Sequence, residues 1–346
     1  MLGFDQRAAR CTWTAALVLL LLWVVYLART ALFVFILALL FAYLLAPLVD
    51  LLDRIFPARR TRTAALALAF VIVVAVTGGL GYLIGVRVVD EASVLAMRFP
   101  KMVESWQQPL PSDHSLQAQI VERVRTEVAA RSSSLISELP QYGLQLLSVA
   151  SNVIYVVIIP VLAFFFLKDA STMRGHFLDV LEEGPRRALL GDLMSDVDLL
   201  LARYMRALFL LSAAAFAAYA IFFSVMRMPY AILLAAASGL LEFIPMLGPV
   251  TAVALILIVA GLAGVSLLPI MAFLALFRVA QDYVLSPHLM GRGVQLHPLL
   301  VLFGVFAGAE IAGIAGTFLS VPVLALVRIV YLRIRKARLS ARQATA

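Results

Sequence analysis

The sequence predicts an all-α fold, a polytopic integral membrane helical bundle with about eight membrane-spanning helices. Hydrophobic residues make up 63% of the chain and charged residues 14%, whereas soluble domains have about 45–50% and about 25%. Apolar runs without a charged residue recur, each longer than the ~18 residues that indicate a membrane helix. These runs are Ala64–Val86, Pro140–Leu167, Ala207–Met226 and Phe243–Phe277. Lipid must therefore solvate much of the chain.

Residues 1–86 contain the first three predicted helices. Helix 1 covers Thr12–Ala28, and a turn at Arg29-Thr30 leads into helix 2 at Ala31–Leu51. A signal peptide is the alternative for the first run, but this run is long and a second one follows at once. Helix 3 runs from Thr63 to Val86, so we expect a retained helical hairpin followed by a third crossing.

Basic residues set the predicted orientation. The loop Asp53–Arg62 carries four arginines, and the segment Arg328–Arg338 is also strongly basic. Clusters of this kind mark the cytoplasmic side of an inner membrane. We therefore expect a multi-pass protein of the bacterial inner membrane with both termini in the cytoplasm.

Residues 87–139 are predicted to form an extracytoplasmic amphipathic helical region. Charges return here, and Leu116, Ile120, Val124 and Val128 recur every fourth residue. This spacing produces one apolar helix face. The region would lie on the membrane or on partner subunits.

Four further segments complete the predicted organisation. Residues 140–167 form helix 4, and residues 168–203 form a cytoplasmic amphipathic segment with an apolar stripe that ends at Tyr204. Residues 204–332 form a C-terminal membrane transport core, followed by a basic cytoplasmic tail at 333–346.

Broken or re-entrant hairpins are predicted in the C-terminal third. Phe243–Phe277 is too long for one crossing and must turn. Val294–Val327 is interrupted by glycines, and each half has about 15 residues, which is short for a ~30 Å hydrocarbon core.

Glu242 is the first candidate for a functional site. A charge at mid-membrane costs at least about 2.5–3.5 kcal/mol, and Glu242 precedes Pro245, Gly248 and Pro249. Two prolines and a glycine beside a carboxylate predict an interrupted helix, whose free backbone groups can hold an ion or a polar solute. The alternative is a cytoplasmic turn with Glu242 at the water line.

Arg278, Gln281 and Asp282 form the second candidate, because spacings of three and four place them on one helical face. An Arg–Asp pair lowers the cost of burying both charges and would act as a structural lock or as a gate. Asp282 would also serve as a proton acceptor if desolvated.

Glu310 is the third candidate and lies among small residues that permit close helix approach. It would meet Arg278 or a coupling cation, or lie at the turn of a hairpin. Pro229 precedes Glu242 by 13 residues and Pro298 precedes Glu310 by 12, which suggests two related hairpins that each bear a glutamate.

Several classes of function are excluded. The net charge of +8 reflects topology signals, so we expect no nucleic-acid partner. The chain has one cysteine and four histidines and lacks the familiar hydrolase and ATPase signatures, so we expect no enzyme activity, catalytic residue, metal site or cofactor. The expected partners are the lipid bilayer, a small polar solute or cation, and further copies of the chain in a homo-oligomer that covers short hairpins.

Four motifs occur together in a recognisable order. They are Ala42–Pro47 with Leu52–Arg54, Glu242–Pro249, Gln281–Gly291 with Leu296–Leu299, and Gly313–Pro322. In this order and spacing they resemble the autoinducer-2 exporter family, also called the PerM-like permease family. The resemblance covers essentially the whole chain and is most specific in the last 110 residues.

This resemblance implies an inner-membrane transporter that does not hydrolyse ATP. Members of the family have been linked to export of autoinducer-2 in quorum sensing, and others to sodium/proton antiport. The family often has Tyr-x-Arg-Gly-Gln before the fifth helix, whereas Tyr204-Met-Arg206 is followed here by Ala207 and Leu208. We therefore expect a secondary transporter of a small polar solute, with a cation/proton antiporter or a non-transporting scaffold as the alternatives.

Overall fold

A computed structural model of the protein describes residues 6–55, 62–106, 153–290 and 296–344, which form helices joined by short turns. A π-helical turn, Gln281–Leu285, joins the helix Leu267–Ala280 to the helix Ser286–Met290. Within the described ranges the helices are α1 Gln6–Leu27, α2 Arg29–Ile55, α3 Arg62–Trp106, α4 Val153–Asp179, α5 Pro185–Val225, α6 Ala231–Leu241, α7 Leu247–Leu262, α8 Leu267–Ala280, α9 Ser286–Met290 and α10 Pro298–Ala344.

The predicted polytopic helical bundle is confirmed. Among the described residues, six helical segments are long and apolar enough to cross a membrane, judged by length and composition. They are α1, α2, α3, α5, the α8–α9 segment and α10. The apolar helices α6 and α7 are shorter, at 11 and 16 residues, and supply one of the predicted broken hairpins.

The junction between α1 and α2 lies at Ala28, one residue before the predicted turn at Arg29-Thr30. The Ala28 amide donates to the Val24 carbonyl at 2.9 Å, and the Leu32 amide donates to the Ala28 carbonyl at 2.8 Å. These bonds belong to the last turn of α1 and the first turn of α2, so a single residue separates the two helices.

Two helix boundaries differ from the prediction. α3 continues past Val86 to Trp106 without a break, because the returning charges at 87–106 include good helix formers. α5 joins the predicted amphipathic segment to predicted helix 5 as one helix of 41 residues, with Pro185 in its first turn. The apolar repeat at 116–128 and the first part of predicted helix 4 lie outside the described residues.

Residues 231–262, which we call the first hairpin, form two short helices that reverse direction at Glu242–Met246. A second hairpin lies inside α10. Its backbone leaves helical geometry at Ala312 and at Gly313, where φ is +59°. A Cβ built on Gly304 would lie 2.5 Å from Leu324, so residues 298–312 and 313–325 run side by side as the two arms.

The long helix α5 organises the core. Its C-terminal half packs with the first hairpin and α8 in an apolar cluster that includes Phe223, Leu234, Ile256 and Ile270. Its middle, at Leu200, Leu201 and Tyr204, packs with α2 and α10. The end of the predicted apolar stripe, at Leu200, Leu201 and Tyr204, is therefore buried against the bundle.

Candidate functional site

A cavity of about 230 Å³ lies where α5, the turn of the first hairpin, α8–α9 and α10 meet. Its walls are partly apolar, with Leu208, Pro245, Pro249 and Val321 among them. Its polar lining residues are Tyr204, Glu242, Arg278, Gln281, Asp282 and Ser286. The cavity thus brings together six of the eight residues that the sequence predicts for a pathway.

A buried hydrogen bond crosses this cavity region. Gln281 Nε2 donates to Glu242 Oε2 at 2.7 Å, and the two residues are 3% and 9% exposed. The bond joins the first hairpin to the α8–α9 segment. The donor, the Gln281 amide, is neutral. Among the described residues, no cationic side chain forms an ion pair with the Glu242 carboxylate.

The first hairpin explains why Glu242 reaches this position. The helix α6 ends at Leu241, and Met246 adopts φ of +65° before α7 begins. Gly248 permits the reversal, because a Cβ built there would lie 1.7 Å from the Leu241 carbonyl oxygen. Gly248 and the adjacent prolines therefore act on the site by shaping the turn that presents Glu242.

The π-helical turn explains the position of Gln281. A π turn inserts one residue into a helix, and such turns are frequent at functional sites. Here the turn starts at Gln281, whose side chain is buried, and continues with Asp282 at the cavity.

Arg278 and Asp282 form the ion pair that their spacing predicts. Arg278 Nε lies 2.9 Å from Asp282 Oδ2, and the two side chains are 44% and 45% exposed. Both residues line the cavity. The cavity therefore contains one guanidinium, that of Arg278, and two carboxylates, those of Glu242 and Asp282. When Glu242 is ionised, the cavity has an excess of negative charge.

Glu310 lies away from these residues. It is exposed in the last turn before Ala312–Gly313, at the tip of the second hairpin, and it is not part of the cavity lining. The sequence leaves two alternatives for Glu310, a contact with Arg278 or a cation, and a position at the turn of a hairpin. Its location is the hairpin turn. The predicted role of Glu310 in a pathway stays a prediction.

Three polar residues near the site escaped sequence reasoning. Tyr204 and Ser286 line the cavity, and Glu91 Oε2 accepts a hydrogen bond from the Leu233 amide at 2.8 Å, which caps the start of the first hairpin. Tyr204 ends an apolar stripe and begins the motif Tyr204-Met-Arg206, but neither pattern assigns it to the pathway. Glu91 lies 142 residues from its partner, a distance that no local pattern reveals.

A second polar cluster joins α2, α4, α5 and α10. Arg333 Nη1 lies 2.9 Å from Asp192 Oδ2, and Arg333 also pairs with Asp196. Asp198 accepts a hydrogen bond from Tyr43 of α2 and lies 3.6 Å from Arg174. These contacts tie four helices together beside the basic end of α10, and no group of residues suited to a metal ion occurs in the described ranges.

Comparison with known proteins gives the chain a family. The sequence pattern of the AI-2E family transporters matches residues 15–336. The chain belongs to the AI-2E family.

The curated relatives of this AI-2E family member are provisionally named transport proteins. YrrI of Bacillus subtilis (strain 168) is 28% identical over 181 residues, which is 52% of this chain and 51% of YrrI. MT0215 of Mycobacterium tuberculosis is 36% identical over 125 residues, 35% and 34% of the two chains. BpOF4_00890 of Alkalihalophilus pseudofirmus is 23% identical over 346 residues, 94% of this chain and 88% of that protein. The chain thus spans about half the length of YrrI and about a third of the mycobacterial relative.

Proposed function

We propose that this AI-2E family member is a secondary transporter that carries a small polar solute across the bacterial inner membrane through the cavity around Glu242. The observation that carries the proposal is the buried Glu242–Gln281 hydrogen bond between two interrupted helical elements. Interrupted helices place polar groups inside a membrane only where they line a cavity.

The chemistry of the cavity narrows the class of solute. A volume of about 230 Å³ is below the ~300–1,000 Å³ typical of drug-sized ligands. Two carboxylates and one guanidinium favour an uncharged solute or a cation over an anion. A compact hydroxylated solute such as autoinducer-2 meets both conditions, and export is the direction that the resemblance to the autoinducer-2 exporter family implies.

Cation/proton antiport is the second candidate. Glu242 is a buried carboxylate whose direct partner is a neutral amide, and a carboxylate in such a setting can exchange a proton for a cation. Asp282 would contribute its second carboxylate oxygen at the same cavity. A non-transporting scaffold remains as the third alternative and requires nothing of this cavity.

The orientation we propose has both termini in the cytoplasm. The support is the basic segment at the end of α10, where Arg333 anchors α5, together with the basic loop after α2. We further propose a homo-oligomer, in which neighbouring copies would cover the short hairpins of the C-terminal third.

The test is flux through proteoliposomes that contain the purified protein. Release of autoinducer-2 from loaded vesicles is measured while the pH gradient and the sodium gradient are varied separately. Glu242→Gln removes a charge-assisted hydrogen bond, so we expect the rate to fall by about 10-fold or more. Asp282→Asn should lower it as well, because it breaks the pair with Arg278.

Glu182→Gln makes the same chemical change at an exposed position between α4 and α5 and serves as the matched control. Wild-type rates in both Glu242→Gln and Asp282→Asn would exclude the cavity as the pathway. Loss of function in cells on deleting residues 107–139, which keeps α3 and its Glu91 contact, with both of those variants normal, would favour the scaffold. Coupled sodium and proton flux without autoinducer-2 release would favour the antiporter.

A further inference from the structure

The hydroxyl group of Tyr204 stands out among the polar atoms of the bundle. Tyr204 lies in the middle of α5 and is 4% exposed. Among the described residues, its hydroxyl oxygen is the only buried side-chain nitrogen or oxygen without a hydrogen-bond partner. A buried tyrosine normally finds a partner for this group.

An unpaired buried hydroxyl has an energetic cost. Leaving such a group unsatisfied costs about 1–3 kcal/mol of stability. Phenylalanine would fill the same space beside Leu200 and Leu208 without that cost. The hydroxyl therefore weakens the fold in this state, and a compensating role is expected in another state of the protein.

The location of Tyr204 indicates that role. Tyr204 lines the same cavity as Glu242 and Gln281. The carboxylate of Glu242 is engaged by the Gln281 amide, and Asp282 is engaged by Arg278. Tyr204 is thus the lining residue whose side-chain polar atom is both buried and without a partner among the described residues.

We propose that Tyr204 contacts the transported ligand and determines specificity, by donating its hydroxyl hydrogen to a carbonyl or hydroxyl oxygen of a small uncharged solute. The inference rests on the proposed function of the cavity. A site built to hydrogen-bond a polar group rejects analogues that lack it far more strongly than an apolar site does. Tyr204 would thereby select an oxygen-bearing solute over an apolar molecule of equal size.

Tyr43 is an internal control, because it is also a tyrosine of the bundle but its hydroxyl has a hydrogen-bond partner. Its hydroxyl donates to Asp198 and joins α2 to α5. Removing that hydroxyl leaves Asp198 short of a partner, so Tyr43→Phe should lower the melting temperature. Tyr204→Phe removes a hydroxyl that has no partner to lose.

The experiment compares Tyr204→Phe, Tyr43→Phe and wild-type protein, each full-length and purified. Melting temperature is measured without ligand, and then across a titration with autoinducer-2, whose uptake into proteoliposomes is also followed. We expect the ligand-free melting temperature of Tyr204→Phe to equal or exceed that of wild type. We expect its Kd for autoinducer-2 to rise by roughly 5- to 10-fold, the loss of one neutral hydrogen bond.

Two outcomes would overturn the assignment of Tyr204 alone. One is a ligand-free melting temperature lowered as much as in Tyr43→Phe, which would make the hydroxyl a structural group. The other is wild-type affinity and uptake in Tyr204→Phe while the wild-type protein transports autoinducer-2. A wild-type protein that neither binds nor transports autoinducer-2 would instead overturn this substrate for the cavity, and the inference with it.

Discussion

The first and second hairpins carry the same sequence pattern but present their glutamates to different surroundings. Glu242 follows Pro229 by 13 residues, and Glu310 follows Pro298 by 12. Glu242 is buried and bonded to Gln281, whereas Glu310 is exposed beside Ile311, which is 84% exposed. The pattern therefore encodes a hairpin with a glutamate at its tip, and the packing around that tip decides what the glutamate does.

The difference arises from what surrounds each tip. The turn of the first hairpin contacts the second, where the ring centroids of Phe243 and Phe318 lie 6.0 Å apart. It also faces α5 and the π-helical turn across the cavity. The second hairpin packs through its arms, at Gly308 against Gly316, and its tip projects beyond that contact.

Glycine substitutions should have the largest effect and should break both hairpins. A Cβ on Gly248 would lie 1.7 Å from the Leu241 carbonyl oxygen, and one on Gly316 would lie 1.9 Å from the Gly308 carbonyl oxygen. Because backbone atoms cannot move aside cheaply, Gly248→Ala and Gly316→Ala should each lower stability by about 1–3 kcal/mol or more. Thermal unfolding in detergent measures this.

The matched control is Gly85→Ala in α3, where a Cβ meets nothing within 4 Å. Alanine is the better helix former by roughly 0.5–1 kcal/mol, so this variant should be as stable as wild type or slightly more so. Equal stability of Gly248→Ala and Gly85→Ala would mean that the first hairpin is not closed as described.

Glu242→Gln and Glu310→Gln should affect the transport rate to different extents, and both should affect folding less than the glycine substitutions do. Glu310→Gln changes an exposed side chain outside the cavity, so we expect an uptake rate within about 2-fold of wild type, as surface changes usually alter stability by less than ~0.5 kcal/mol. Glu242→Gln should lose about 10-fold or more. Uptake by proteoliposomes compares them directly, and a larger loss in Glu310→Gln would restore that residue to the pathway.

Helix capping should produce the smallest difference between the hairpins. The first is capped from another helix by Glu91, and the second locally, since the Leu299 amide donates to His297 Nδ1 at 3.2 Å. Glu91→Ala should cost about 1 kcal/mol and His297→Ala less, because a carboxylate also interacts favourably with the helix dipole. Unfolding midpoints would detect this, and an inverted order would contradict it.

Sequence reasoning predicted the elements better than their contacts. The break after Glu242 occurs, and the turn predicted within Phe243–Phe277 lies at Gly264, because proline and glycine act locally on the backbone. The Arg278–Asp282 pair also forms, since residues four apart on a helix are neighbours. The break between the first two helices lies at Ala28, beside the predicted turn at Arg29-Thr30.

The site itself needed the tertiary structure. The Glu242–Gln281 bond spans 39 residues, and the π-helical turn that aims Gln281 has no signature in the sequence. Tyr204 looks like any buried member of an apolar face until the atoms around its hydroxyl are known.

By itself the sequence determined membrane residence, the helical class, the positions of the breaks and the glutamates beside them, because hydropathy and backbone chemistry are properties of neighbouring residues. Only the tertiary structure decided which glutamate is enclosed, which amide meets it and which hydroxyl is left without a partner. Those outcomes depend on how helices far apart in the chain pack, and burial is a property of the assembled bundle.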